Sequence, residues 1–169
     1  DQTKSSDKVT VGFIGSGNYA TQVLIPAFKK TGAQMVSVAS SAGISGVHAG
    51  KKNGFTETTT DTEGLISNPD INTVVITTRH NSHARFVCDL LKAGKHVFVE
   101  KPRALKLDEL STIEDAYKEA WSRGDNPLLM VGFNRRFSPQ MQKIKSLLEI
   151  TKEPKSFIMT VNAGAIPAD

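Results

Sequence analysis

Cysteine is nearly absent from the 169 residues: Cys88 stands alone, and there is a single tryptophan and a pair of tyrosines. A lone cysteine builds neither a disulfide framework nor a thiolate metal cage, so no metal centre is expected and the compartment is read as reducing, the cytoplasm. Nowhere does an apolar run approach the roughly 20 residues that cross a bilayer. The first residues, Asp1 to Lys8, are polar rather than signal-like, so no membrane partner is expected. Nor is there a basic stripe. The 21 Lys+Arg exceed the 17 Asp+Glu, for a net charge of +4, but they fall as scattered pairs such as Lys29-Lys30, Lys51-Lys52 and Arg135-Arg136, which argues against a nucleic-acid partner. With 13 Gly and 7 Pro the chain is no low-complexity tract, and 38% hydrophobic residues suffice for a core without cross-links.

What is present is an alternation of strands and helices. Val9 to Ile14 is an apolar run followed by the turn Gly15-Ser16-Gly17 and a helical pattern through Val23, Leu24, Ala27 and Phe28, with Pro26 bending that helix or sitting where its missing donor is tolerated. Met35–Ala39 reads as the second strand, Phe55–Thr59 as a brief edge strand, and Thr73-Val74-Val75-Ile76-Thr77 as a buried one. Between them, 45–53 can form a short helix closed by Gly54, and Thr62–Ser67 a turn or two of helix. Ser82 is expected to cap a helix bearing Phe86, Val87, Leu90 and Leu91, stopped by Gly94 in the left-handed manner. His96–Glu100 is a strand, Leu107–Ala120 a helix, Leu128–Phe133 a sixth strand. This order predicts an α/β fold, a doubly wound parallel sheet. Ser138 then starts another helix, and Phe157–Asn162 reads as a strand with nothing after it to pair with. Since residue 1 is Asp rather than Met, the chain is expected to be a piece of a longer polypeptide. Residues 1–8 would be a linker, 9–134 a dinucleotide-binding domain, and 135–169 the truncated beginning of a substrate or oligomerisation domain.

The chemistry concentrates where predicted strands end. In Gly15-x-Gly17-x-x-Ala20 the first glycine allows a tight turn, the second lets backbone approach a pyrophosphate, and small Ala20 lets helix pack on strand. The helix start at Ser16, Asn18 and Tyr19 would offer N–H groups to phosphate. Adenosylmethionine sites use a related turn, so the motif alone leaves the cofactor open. Dinucleotide sites place an acid at the end of the second strand to hold the ribose; here stand Ser40 and Ser41, which leaves both NAD and NADP open. The same serines could simply start a turn.

Thr77, Thr78, Arg79, His80 and His83 leave the third long strand on the edge where open parallel sheets bind ligands. The histidines have no Asp or Cys at metal-ligand spacing, and His83 could equally serve packing. Glu100-Lys101-Pro102 leaves the next strand on the same edge. A partly desolvated Lys101 beside a nicotinamide would have a lowered pKa and could exchange a proton with a substrate hydroxyl; a surface lysine is the plain alternative. Pro102 could be cis.

The segments Val11–Gly17, Thr78–His83, Glu100-Lys101-Pro102 and Val131-Gly132-Phe133-Asn134-Arg135-Arg136-Phe137 together resemble the glucose-fructose oxidoreductase, inositol dehydrogenase and rhizopine catabolism (Gfo/Idh/MocA) family. The ending from Val161 to Asp169 looks most like the subgroup in which this module follows a zinc-type alcohol dehydrogenase module. The resemblance implies an NAD- or NADP-dependent oxidoreductase acting on a sugar- or cyclitol-like hydroxyl carbon, oligomeric at full length. By the same token Lys101 would be the active-site lysine and Glu100 would lie near the nicotinamide ribose. Pro102 would often be cis, Thr78 and His83 would border the cofactor groove, and Arg136 would approach the nicotinamide and substrate. Arg79-His80 depart from the family's common Pro-Asn, and Ser40 from the Asp of NAD-specific members. The second-domain Asp and His of the proton relay have no counterpart, so the piece is expected to turn over little alone. A non-catalytic NAD(P)-sensing module and an adenosylmethionine-dependent transferase are the rival readings.

Overall fold

The computed structural model describes residues 8–40, 50–162 and 164–165. The chain divides into two compact units, one ending at Phe133 and the other beginning at Asn134.

In the first unit the strands are β1 (Thr10–Ile14), β2 (Gln34–Ala39), β3 (Glu57–Thr59), β4 (Thr73–Ile76), β5 (His96–Val99) and β6 (Leu129–Val131). They form one parallel sheet in the order β3-β2-β1-β4-β5-β6, a Rossmann-like arrangement whose strand order reverses between β1 and β4. In sheets of this kind the crevice for a ligand opens at that reversal, above the C-terminal strand ends.

Helices follow because parallel strands need long crossovers. A π-helical turn (Ala20–Leu24) runs into α1 (Ile25–Lys30); α2 is Thr62–Ser67, α3 His83–Lys92 and α4 Leu107–Ser122, and residues 50–53 are also helical. Side chains alternate along the strands and divide the core in two. Ile14, Val74, Ile76, Val97 and Val99 pack with α3 and α4 through Val87, Leu90, Leu91, Ile113 and Ala116. On the other face Val11, Phe13 and Val75 pack with Ala20, Leu24 and Ile25. Phe13 meets Phe28 and Phe55 edge-on, at 5.7 and 5.8 Å between centroids, which fixes α1 against the sheet. Cys88 is buried within the first of these cores; burial pushes its thiol up, the opposite of an activated thiolate.

Local signals explain most boundaries. Pro26 lies in the first turn of α1, where its missing N–H is tolerated. Asp61 caps α2 by accepting from Gly64 N–H at 2.9 Å, and Gly94 ends α3 at φ +68°. Ser82 does not cap α3: a 3-10 turn, His80–Ser82, leads into the helix. Its hydroxyl instead meets the Thr78 hydroxyl at 2.7 Å and donates to the Arg79 carbonyl at 2.8 Å. The expected helix over 45–53 lies outside the described residues up to position 49.

The second unit holds a 3-10 turn (Asn134–Phe137) and α5 (Pro139–Leu148), capped by Ser138, which accepts from Met141 N–H at 3.3 Å. The strand expected at Phe157–Asn162 is not formed. The residues are exposed and no strand among the described residues pairs with them, and an unpaired strand satisfies none of its backbone groups.

Candidate functional site

Gly15 follows β1 directly, with φ +105° and its N–H donating to the Ala39 carbonyl at 2.8 Å. A Cβ there would stand 2.8 Å from Thr77 Oγ1 and 2.9 Å from the Thr77 carbonyl, so the turn closes only on glycine. Thr77 in turn donates its hydroxyl to the Gly15 carbonyl at 3.1 Å. Gly17 is different: a Cβ would meet nothing within 4 Å, so its bare backbone faces open space. The helix starts at Asn18, and Ala20, 1% exposed, packs against the sheet. Ser16 donates its hydroxyl to Ser40 at 2.8 Å in a buried contact, tying the glycine turn to the end of β2.

A groove of about 780 Å³ opens over these strand ends. It brings together Gly15, Ser16, Gly17, Asn18, Ser40, Thr77, Thr78 and Arg79. Ser41 lies outside the described residues. Tyr19, His80, His83, Glu100 and Lys101 do not line this groove. Thr60, Thr62 and Arg85, which sequence reasoning missed, do; the ends of β3 and the first turn of α3 converge there only through the sheet order.

His83 lies beneath the groove rather than on it. The ring is wholly buried, with Nδ1 2.7 Å from the Pro102 carbonyl and Nε2 3.0 Å from the Thr78 carbonyl. It therefore joins the segment after β4 to the segment after β5, and His80 rests against it at 5.6 Å between ring centroids. The Lys101-Pro102 peptide bond is cis. Lys101 itself is exposed among the described residues. Arg136 belongs to the second unit, where its guanidinium lies 5.9 Å from the Phe137 ring centroid and its carbonyl accepts from Gln142 at 3.3 Å. No three His, Cys, Asp or Glu side chains among the described residues converge as a metal site would require, and no helix among them is long and apolar enough to cross a membrane.

Glu100 is half-buried, and its Oε1 meets no hydrogen-bond donor among the described residues. Burial raises its carboxyl above the usual range, opposed by the Lys101 N–H and the charges of Lys101 and His83. Val99 pairs with Val131, so Glu100 stands beside Gly132. A Cβ on Gly132 would come within 2.5 Å of Glu100 Oε1 and 3.2 Å of the Phe98 ring. Gly132→Ala is expected to cost about 1 kcal/mol, the low end for overpacking, because the nearest atom is the tip of the Glu100 side chain. Shortening the acid with Glu100→Asp in the same chain should recover part of that loss, a coupling of roughly 0.5 kcal/mol. Urea unfolding of the double-mutant cycle measures it; additive losses would show that Gly132 does not seat the carboxylate.

A turn that closes only on glycine, the bare backbone of Gly17 and an open groove over the strand reversal suit a dinucleotide. Residues 9–124 match the Gfo/Idh/MocA oxidoreductase family, NAD-binding Rossmann fold. The chain belongs to the Gfo/Idh/MocA family. Among Gfo/Idh/MocA relatives, myo-inositol 2-dehydrogenase of Thermotoga maritima is 35% identical over 89 residues, 53% of this chain and 25% of that protein. The fold is similar to levoglucosan dehydrogenase in complex with NADH, with a TM-score of 0.72 at 29% identity over 85% of this chain and 40% of that one. It is likewise similar to biliverdin reductase from Synechocystis in complex with biliverdin and NADP+, with a TM-score of 0.72 at 27% identity, covering 83% and 43% of the two chains. The chain thus spans between a quarter and somewhat over two fifths of the length of these proteins. As the Gfo/Idh/MocA nucleotide domain, it carries an NAD-type cofactor site.

Proposed function

We propose that this domain serves an enzyme moving a hydride between a nicotinamide dinucleotide and a hydroxyl-bearing carbon of a sugar or cyclitol. The observation that carries the reading is the shared edge: the glycine turn after β1 and Glu100-Lys101-Pro102 after β5 leave the same end of one sheet. When bound, the nicotinamide accepts or gives the hydride. The chain's part is to hold and orient it. Gly15, Ser16 and Gly17 would take the pyrophosphate against the helix start, and Ser40 the adenosine ribose. Glu100 would lie near the nicotinamide ribose, and Lys101 Nζ would exchange the proton of the substrate hydroxyl. The identities of the relatives support a polyol substrate for the whole protein. Residues 135–169 are proposed as the start of its substrate domain, with turnover by the 169 residues alone low.

The test is nucleotide reduction by the protein that carries this chain, supplied with myo-inositol, levoglucosan or glucose. Lys101→Met should lower turnover by about 10²–10⁴-fold, the usual worth of a positioned acid or base, while nucleotide affinity changes little. Unchanged turnover would remove Lys101 from the chemistry. Nucleotide binding with no turnover on any such substrate would favour a sensing module.

A further inference from the structure

The reading above leaves NAD and NADP undivided. We infer that the adenosine end of the groove is built for a 2′-phosphorylated dinucleotide, with Ser40 and Arg85 setting the preference for NADP(H) over NAD(H). This rests on the groove being a dinucleotide site at all.

Three observations carry it. Dinucleotide sites that choose NAD hold the ribose 2′-hydroxyl with a carboxylate at the end of the second strand. Here that place is Ser40, and no Asp or Glu occurs anywhere from Ser40 to Thr56. Ser40 is also seated: it is 9% exposed, its Oγ accepts from Ser16 and its N–H donates to the Thr59 carbonyl at 3.0 Å. A small neutral hydroxyl therefore stands at a fixed position where a phosphate would otherwise meet an anion.

The second observation concerns the neighbouring acid. Asp61 follows β3 between the groove residues Thr60 and Thr62 but does not itself line the groove; its carboxylate accepts from Gly64 N–H as the cap of α2. It does not replace the missing ribose acid.

Third, the charged side chains lining the groove among the described residues are Arg79 and Arg85, both cationic. Arg85 lies over the Phe86 ring, 4.3 Å from its centroid, and its acid neighbour Asp89 is loosely placed at 3.9 Å. The Arg85 side chain remains 64% exposed, so its planar fork of donors is available at the surface of the groove. A 2′-phosphate brings up to two negative charges and three terminal acceptor oxygens; a 2′-hydroxyl brings no charge and a single oxygen. Specificity is the difference between two affinities, and every feature here adds to one side of it.

The experiment is an equilibrium titration of the 169-residue chain with NADPH and with NADH, read by nicotinamide fluorescence and repeated with 2′-AMP and 5′-AMP as competitors. NADPH is expected to bind at least about tenfold more tightly, as a single charge-assisted contact suffices to produce. Adenosine 2′-monophosphate should displace it better than the 5′ isomer. Arg85→Ala, at an exposed position, should weaken NADPH by a larger factor than NADH and so lower the ratio; Ser40→Asp should narrow or invert it. Equal affinities, or tighter NADH, would overturn the inference while leaving the dinucleotide site intact. Binding of neither nucleotide would overturn both.

Discussion

Gly15→Ala is expected to cost about 3 kcal/mol or more of stability and to abolish nucleotide binding, because the new methyl has no route of escape. Its neighbours at 2.8–2.9 Å include the carbonyl carbon and oxygen of Thr77, and backbone held in a central sheet strand's exit does not yield like a side chain tip. The residue's φ of +105° adds strain for any L side chain. Gly17→Ala supplies the contrast. With nothing within 4 Å of the added methyl, stability should stay within about 0.5 kcal/mol, while nucleotide affinity falls because the methyl stands where the pyrophosphate must approach. Thermal melts and nucleotide titrations on the two variants separate a turn that shapes the fold from a turn that only receives a ligand. Equal loss of stability in both would mean that Gly17 is structural.

His83→Leu carries the next largest effect. Either tautomer of the ring donates to one of the Thr78 and Pro102 carbonyls, and the substitution removes that donor, at about 1–3 kcal/mol for a buried group left unsatisfied. A loss of roughly 1–3 kcal/mol in urea unfolding is expected, with weaker nucleotide binding because Thr78 lines the groove. His83→Asn places an amide nitrogen near the Nδ1 position and should recover part of the loss through Pro102. If His83→Leu unfolds at the wild-type midpoint, the ring is only filling space.

Much of this site was legible in the sequence, for physical reasons that also mark where legibility ended. β1, β4 and β5 show as β-branched apolar runs because both faces of a parallel sheet are buried, and Gly15 shows because few backbones make that turn. Ser16 and Ser40 lie 24 positions apart, and their hydroxyl contact follows from the register of β1 on β2. Gly132 was visible only as part of a run shared with the family; its closeness to Glu100 depends on β5 pairing with β6. His83 offered two roles from its place at a helix start, and the choice needed the Pro102 carbonyl to be brought 19 residues back to it. Ser82 failed as a cap because a nearer partner, the Thr78 hydroxyl, competes for its oxygen. Phe157–Asn162 has strand composition, but composition does not supply a neighbouring strand.

The most direct test of the whole reading is a fluorescence titration of the chain with NADPH and NADH in the presence and absence of adenosylmethionine. Saturable binding of one nucleotide per chain, unaffected by adenosylmethionine and lost in Gly15→Ala, is the expected result. Binding of adenosylmethionine with no binding of either nicotinamide nucleotide would contradict it.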